Sequence, residues 1–287
     1  MRRTAKKRRL CLGAHLSVAG GVSRAVDSAQ ELDLESLQIF TKNANRWEQK
    51  PIPADEVARF RERRSEWGDD RPVVSHDSYL INLASPEREL RAKSRRAFID
   101  ELERAESLGL DFLVTHPGAH VGSGVEPAIE RFGKEMRQVY EKVPFGRTRV
   151  LLEATAGQGT TLGRTFAELA ALLAAVGDDE RTAVCLDSCH LFAAGYDLST
   201  ATGYDAAMEE LDAELGADTI ACWHLNDSKG ALGSHLDRHE NIGEGQIGKI
   251  GFRKILKDER FFGVPKILET PKENDGDERN LATLYSL

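Results

Sequence analysis

The stretch Thr182-Ala183-Val184-Cys185-Leu186-Asp187-Ser188-Cys189-His190 decides the fold. Its apolar run, 183–186, stops abruptly at Asp187, and His190 follows three residues later. Short apolar runs bounded by polar residues read as strands buried on both faces, as in a parallel sheet. Packing accounts poorly for a carboxylate at the end of such a strand with an imidazole just beyond it. Asp is seldom fully buried unless it is paired or bound to a metal.

The same design recurs along the chain. Apolar runs occur at 10–15, 37–41, 73–76, 112–116, 150–153, 183–187, 220–224 and 264–269. Between them lie stretches with helical periodicity, at 23–32, 54–67, 87–108, 128–143, 166–176, 204–215 and 252–257. Gly109 stands where a helix-terminating glycine belongs. Strands alternating with helices mean a parallel sheet. Eight such units in 287 residues predict a (β/α)8 TIM barrel, an α/β fold for which about 250 residues is typical. A doubly wound open sheet fits less well, because no strand leads into a GxGxxG loop. One domain is expected over 10–287, preceded by a basic, disordered tail at 1–9.

The runs end in His15, Thr41, His76, His116, Glu153, Asp187, His224 and Glu269, so seven of the eight end residues are imidazoles or carboxylates. In a barrel these ends converge on one rim, where active sites form. His190 lies just past the sixth run, and Asp237-Arg238-His239 follows the seventh. The candidate metal ligands are thus five histidines (His76, His116, His190, His224, His239) and four carboxylates (Glu153, Asp187, Asp237, Glu269). Nine ligands exceed one tetrahedral ion and suit two or three ions with a bridging carboxylate. Mixed imidazole and carboxylate ligation favours zinc, with manganese or iron admissible at one position. His15 is expected to hydrogen-bond a ligand or substrate, and His120 and His235 to be supporting or surface residues.

Composition narrows the class. The chain is 40% hydrophobic and 30% charged, as a soluble globular protein is, and no apolar run reaches the length of a membrane span or a signal peptide. A net charge of −8 argues against a general nucleic-acid coat protein but leaves room for a local basic groove. Cys11, Cys185, Cys189 and Cys222 form no CxxC pair and read as small buried hydrophobes in a reducing compartment, the cytoplasm.

Longer motifs sharpen the reading. They include Gly-Ala-His-Leu-Ser-Val-Ala-Gly-Gly at 13–21, Phe-Thr-Lys-Asn at 40–43, His-Asp-Ser-Tyr-Leu-Ile-Asn-Leu-Ala-Ser at 76–85 and Thr-His-Pro-Gly-Ala-His at 115–120. Further on come Leu-Glu-Ala-Thr-Ala-Gly-Gln-Gly at 152–159, Leu-Asp-Ser-Cys-His-Leu-Phe-Ala-Ala-Gly-Tyr-Asp at 186–197, His-Leu-Asn-Asp-Ser-Lys at 224–229, Asp-Arg-His-Glu-Asn-Ile-Gly-Glu-Gly at 237–245 and Glu-Thr-Pro at 269–271. In these motifs the chain resembles the endonuclease IV family of abasic-site DNA repair endonucleases. The resemblance implies a zinc-dependent barrel with three metal positions: His76, His116 and Glu153; Glu153 as bridge with Asp187, His224 and Glu269; and His190, Asp237 and His239. It implies hydrolysis of the phosphodiester 5′ to an abasic site in double-stranded DNA, leaving a 3′-hydroxyl and a 5′-deoxyribose phosphate, with Glu153 and Glu269 catalytic. It further implies minor-groove contacts from Tyr79 and Leu80, and insertion into the base stack from the 43–47 loop. There Asn45 occupies the position of the family's wedge arginine, with Arg46 beside it. Trp47 reads as packing. The expected enzyme is a monomer with no membrane partner.

A xylose-isomerase-like sugar isomerase is the alternative, because such barrels also gather His, Asp and Glu around divalent ions. The five histidines and the Asp-Arg-His loop favour the nuclease.

Overall fold

The computed structural model describes residues 9–177 and 180–287. The strands and helices in chain order are β1 (Leu12–His15), α1 (Ser23–Glu31), β2 (Ser36–Phe40), α2 (Ala54–Trp67), β3 (Val73–His76), α3 (Arg88–Leu108), β4 (Phe112–Thr115), α4 (Val125–Lys142), β5 (Arg149–Glu153), α5 (Phe166–Val176), β6 (Thr182–Asp187), α6 (Ser188–Ala194), α7 (Ala201–Glu214), β7 (Ile220–Leu225), β8 (Asp227–Ser228), β9 (His239–Glu240), α8 (Gly248–Lys257), β10 (Lys266–Leu268) and α9 (Gly276–Tyr285).

Strands β1 to β7 and β10 close into a parallel barrel in the order β1-β10-β7-β6-β5-β4-β3-β2. The expected strands and helices lie where their periodicity places them, within a few residues at the ends. Two helices and a hairpin were not foreseen. α6 is only seven residues long and buried on nearly every side, so it shows no 3.6-residue stripe, and α9 is short and weakly patterned. β8 and β9 are two residues each and pair antiparallel, below the length at which alternation is visible.

Val74, Val114, Leu151, Ala183, Cys185, Ala221, Cys222 and Ile267 fill the barrel interior. A larger apolar layer, including Phe60, Phe98, Phe132, Phe166 and Phe252, packs the helices against the outside. Gly13 lets β1 approach β2, since a Cβ there would meet the Ser36 carbonyl oxygen at 2.3 Å. Gly109 ends α3 in the left-handed region at φ 73°, as the sequence predicts. All four cysteines are buried and unpaired. Among the described residues no helix is long and apolar enough to cross a membrane. Of the basic segment 1–9, residues 1–8 lie outside the described residues. Arg9 accepts the Gly263 N–H on its carbonyl and pairs its guanidinium with Glu35 at 3.3 Å.

Candidate metal centre

Every strand of a parallel barrel points its C-terminal end at the same mouth, so the polar residues that end β3 to β7 and β10 meet there. Glu153, at the end of β5, lies at the middle of the group. Its Oε2 is 3.1 Å from His76 Nε2 and 3.1 Å from His116 Nε2. Its Oε1 is 3.0 Å from His224 Nδ1 and 3.3 Å from His190 Nδ1. One carboxylate thus faces four imidazoles, two on each oxygen. Glu269, just past β10, approaches His224 Nδ1 at 3.2 Å. Asp237 sets one oxygen 3.2 Å from His190 Nε2 and the other 3.1 Å from His239 Nε2.

All nine predicted ligand residues are therefore in one cluster. His76, His116 and Glu153 can together hold a metal ion, as can Glu153, Asp187, His224 and Glu269, and Asp187, His190 and His239. His190 and His239 share Asp187 as well as Asp237, so Asp187 stands between two of the expected positions. The thiols of Cys185 and Cys222 lie near His224, and that of Cys189 near Asp237 and His239.

The hydrogen bonds fit the donor set to cations. A ligating imidazole normally donates its other N–H to a protein acceptor, which fixes ring and tautomer. His76 Nδ1 faces the Asp77 carbonyl at 2.9 Å, and His190 Nδ1 the Ala154 carbonyl at 2.8 Å. His239 Nδ1 faces the Glu269 carbonyl at 3.2 Å, and His224 Nε2 faces Gln38 Oε1 at 2.8 Å. With these N–H groups placed on their acceptors, the second nitrogen of His76, His239 and His224 turns its lone pair inward, as does His190 Nε2 toward Asp237. His239 Nε2 is buried and makes no aligned hydrogen bond, with the Asp237 carboxylate 3.1 Å away, a pairing that suits an electrophile between the two.

Electrostatics point the same way. Burial opposes a charge on His76 and on His239, yet Glu153 and Asp237 respectively hold both up at about 9. Burial likewise opposes ionisation of Glu153, and the His224 and His116 imidazoles more than offset it, holding its carboxyl well below the usual range. The cluster attracts positive charge, and protons and divalent cations compete for the same lone pairs.

Local structure sets these positions. Asp187 caps α6 by accepting the His190 N–H at 2.8 Å, so one side chain both starts the helix and presents an oxygen to the cluster. Capping a helix and facing the cluster, which are alternatives for an isolated Asp, coincide here. Buried Asp227 accepts the N–H groups of Gly243 at 2.9 Å, Gly245 at 3.1 Å and Ile247 at 2.9 Å, folding the segment that follows β9 and so seating His239.

Sequence reading missed three buried supports. Gln38 donates to Glu269 Oε1 at 2.6 Å while its oxygen faces His224. Asn226 donates to Asp187 at 2.6 Å and accepts the Glu269 N–H at 3.0 Å. Asp77 accepts from Thr115 at 2.6 Å. Gln38 was findable, since a polar residue between Leu37 and Ile39 in a strand covered on both faces needs buried partners. His15 lies 3.5 Å from Glu269 and 2.9 Å from Gln38, in the supporting place expected of it.

Tyr79 is 61% exposed beside the cluster, its ring centroid 5.7 Å from that of His76. Leu80 follows it, half-buried. Asn45 and Arg46 are exposed on the neighbouring loop, which Ser78 ties to the Tyr79 loop by donating to the Ala44 carbonyl at 2.6 Å. Trp47 packs against the core under Lys93.

Residues 26–287 match the family described as xylose isomerase-like TIM barrels. The chain is 48% identical to a probable endonuclease 4 from Chloroflexus aurantiacus, covering 96% of this chain and 97% of that one. A probable endonuclease 4 from Geobacter sulfurreducens is 46% identical, with 96% and 94% covered. Endonuclease IV from Thermus thermophilus superposes with a TM-score of 0.86 at 36% identity, over 96% and 97% of the two chains. Site geometry, sequence identity and superposition agree: the chain belongs to the endonuclease IV family.

Proposed function

We propose that this protein is a metal-dependent abasic-site endonuclease of base excision repair, acting on double-stranded DNA. It hydrolyses the phosphodiester 5′ to the lesion and leaves a 3′-hydroxyl and a 5′-deoxyribose phosphate. The observation that carries the reading is Glu153 between four imidazoles at the barrel mouth, two of which, His76 and His116, lie beside exposed Tyr79. His76, His116 and Glu153 would hold one zinc ion. Glu153, Asp187, His224 and Glu269 would hold a second, and His190, Asp237 and His239 a third, with manganese or iron admissible at one position. Bound divalent ions supply Lewis acidity toward the phosphate and an acidified water at neutral pH.

The chain's own groups do the rest. Glu269 is held by Gln38 and orients the attacking water with a carboxylate that the neighbouring imidazole keeps ionised. Glu153 keeps four imidazoles and Asp237 two in fixed relation, which preorganises the site. Tyr79 and Leu80 enter the minor groove, and Asn45 or Arg46 fills the stack. An abasic nucleotide has no base to unstack, so extruding it costs less than extruding an intact one. The four unpaired cysteines suit a reducing cytoplasm, and we assign the enzyme there as a monomer.

The test is incision of an abasic duplex, followed on a gel. The purified protein should cut it, carry about three ions per chain by elemental analysis, and lose cutting in His116→Ala while remaining folded. Turnover of aldoses or ketoses with no DNA incision would establish the sugar-isomerase reading instead.

A further inference from the structure

The chain carries a net charge of −8, yet residues 87–96 hold five cations and two carboxylates. α3 follows β3, so its first turns stand at the barrel mouth, next to the loops bearing Tyr79 and Arg46. The five cations are not equivalent. Arg91 and Arg95 turn to α4 and share Glu135. Arg88, Lys93 and Arg96 are exposed and form no ion pair among the described residues. Lys93 Nζ stands 4.3 Å from the centre of the Trp47 ring. Arg96, with Trp47, Glu48 and Gln49, lines a cavity of about 240 Å³. The carboxylates nearby are Glu48, Glu87, Glu89, Asp100, Glu103 and Glu141, of which Asp100 is already paired with Lys42 at 3.0 Å and with Arg104 at 2.9 Å, and Glu103 and Glu141 line a hollow on the other side of Arg96.

The 43–50 loop and this stripe share one foundation. Buried Lys42 reaches Glu101 at 3.4 Å, and Arg104 donates to the carbonyls of Gln49 at 2.7 Å and Lys50 at 2.9 Å. α3 therefore fixes the loop from below while its outer face presents unspent charge beside it. Nine helical residues rise about 12 Å, over which one DNA strand at about 3.4 Å per nucleotide presents three to four phosphates.

We infer that Arg88, Lys93 and Arg96 form a second contact with the substrate, binding backbone phosphates of the duplex flank beyond the 43–47 loop. This rests on the reading of the protein as a DNA endonuclease. The contact is sequence-independent and extends the interface from the lesion to the duplex beside it, which an acidic protein needs most.

The test measures affinity of the full-length, metal-loaded protein for a long-flanked abasic duplex from 50 to 200 mM salt. In Arg88→Gln/Lys93→Gln/Arg96→Gln the slope of log affinity against log salt should fall by about 0.9 for each phosphate that is no longer neutralised. Ion content should not change, and the single change Lys93→Glu should lower the slope as well. Arg61→Gln/Arg147→Gln, at the opposite end of the barrel, serves as the control and should keep the parental slope. An unchanged slope in the triple variant, or an equal fall in the control, overturns the inference while leaving the endonuclease reading intact. A parent that does not cut abasic DNA sinks both.

Discussion

The two ends of β10 carry charges, one buried and one half-buried, that behave differently. At the base, Lys266 Nζ donates to the carbonyls of Leu10 at 3.1 Å, Phe261 at 2.6 Å and Val264 at 3.1 Å. An ammonium has three N–H donors, and all three are spent on main chain. Just past the upper end, Glu269 faces Gln38 at 2.6 Å, His224 at 3.2 Å and His15 at 3.5 Å. Burial lowers the hold of Lys266 on its proton, to about 8. Burial also opposes ionisation of Glu269, but the His224 imidazole beside it keeps the carboxyl well below the usual range. A charge whose bonds are closed on carbonyls fastens the barrel. A charge turned on other ionisable groups, with lone pairs to spare, makes a place where a cation and a substrate can enter.

The contrast breaks most sharply if Glu269→Gln keeps its rate. Loss of this carboxylate, proposed to orient the attacking water, should slow abasic-duplex incision by about 10²-fold with the fold intact, measured as kcat on a gel. Next in size is Gln38→Leu. It leaves every ligand in place but removes the partner of His224 and Glu269, and should cost about 10- to 100-fold in zinc affinity or rate. Competition with a zinc chelator reads the first and the gel assay the second.

At the other end of the strand, Lys266→Met should leave ion content and kcat alone. It should lower stability by about 1–3 kcal/mol in denaturant unfolding, because buried carbonyls lose their donor. A loss of metal in this variant would erase the distinction between the two ends. The last effect is on pH dependence. Between about 8 and the ordinary lysine value of 10.5, the unfolded chain binds the Lys266 proton more tightly than the folded one. The contribution of Lys266 to stability therefore rises with pH across that window. The stability of the parent relative to Lys266→Met should increase correspondingly from pH 8 to 10.5, and a flat difference would show that the three carbonyls hold the charge as well as water does.

The endings of the apolar runs made the centre legible. Glu153 and Asp187 close β5 and β6, His224 stands one residue before the end of β7, and a barrel gathers strand ends whatever lies between them. Gln38 and Asn226 were not read because an amide inside a strand motif looks like one polar residue among many, and its partners are far away in sequence. α6 was missed for a related reason: a helix buried on all sides has no polar face to mark its period.

The amino-acid order alone determined the alternation of strand and helix, and hence the barrel, and it set the chemical types on the rim. Those features depend on local pattern and on a closure rule that needs no coordinates. Only the tertiary structure decided which nitrogen of each imidazole faces inward, because the Asp77, Ala154 and Glu269 carbonyls and the Gln38 amide choose it. For Glu269 with His239 and Gln38 with His224, that choice joins atoms that the chain separates by 30 and 186 residues, a distance no periodicity spans.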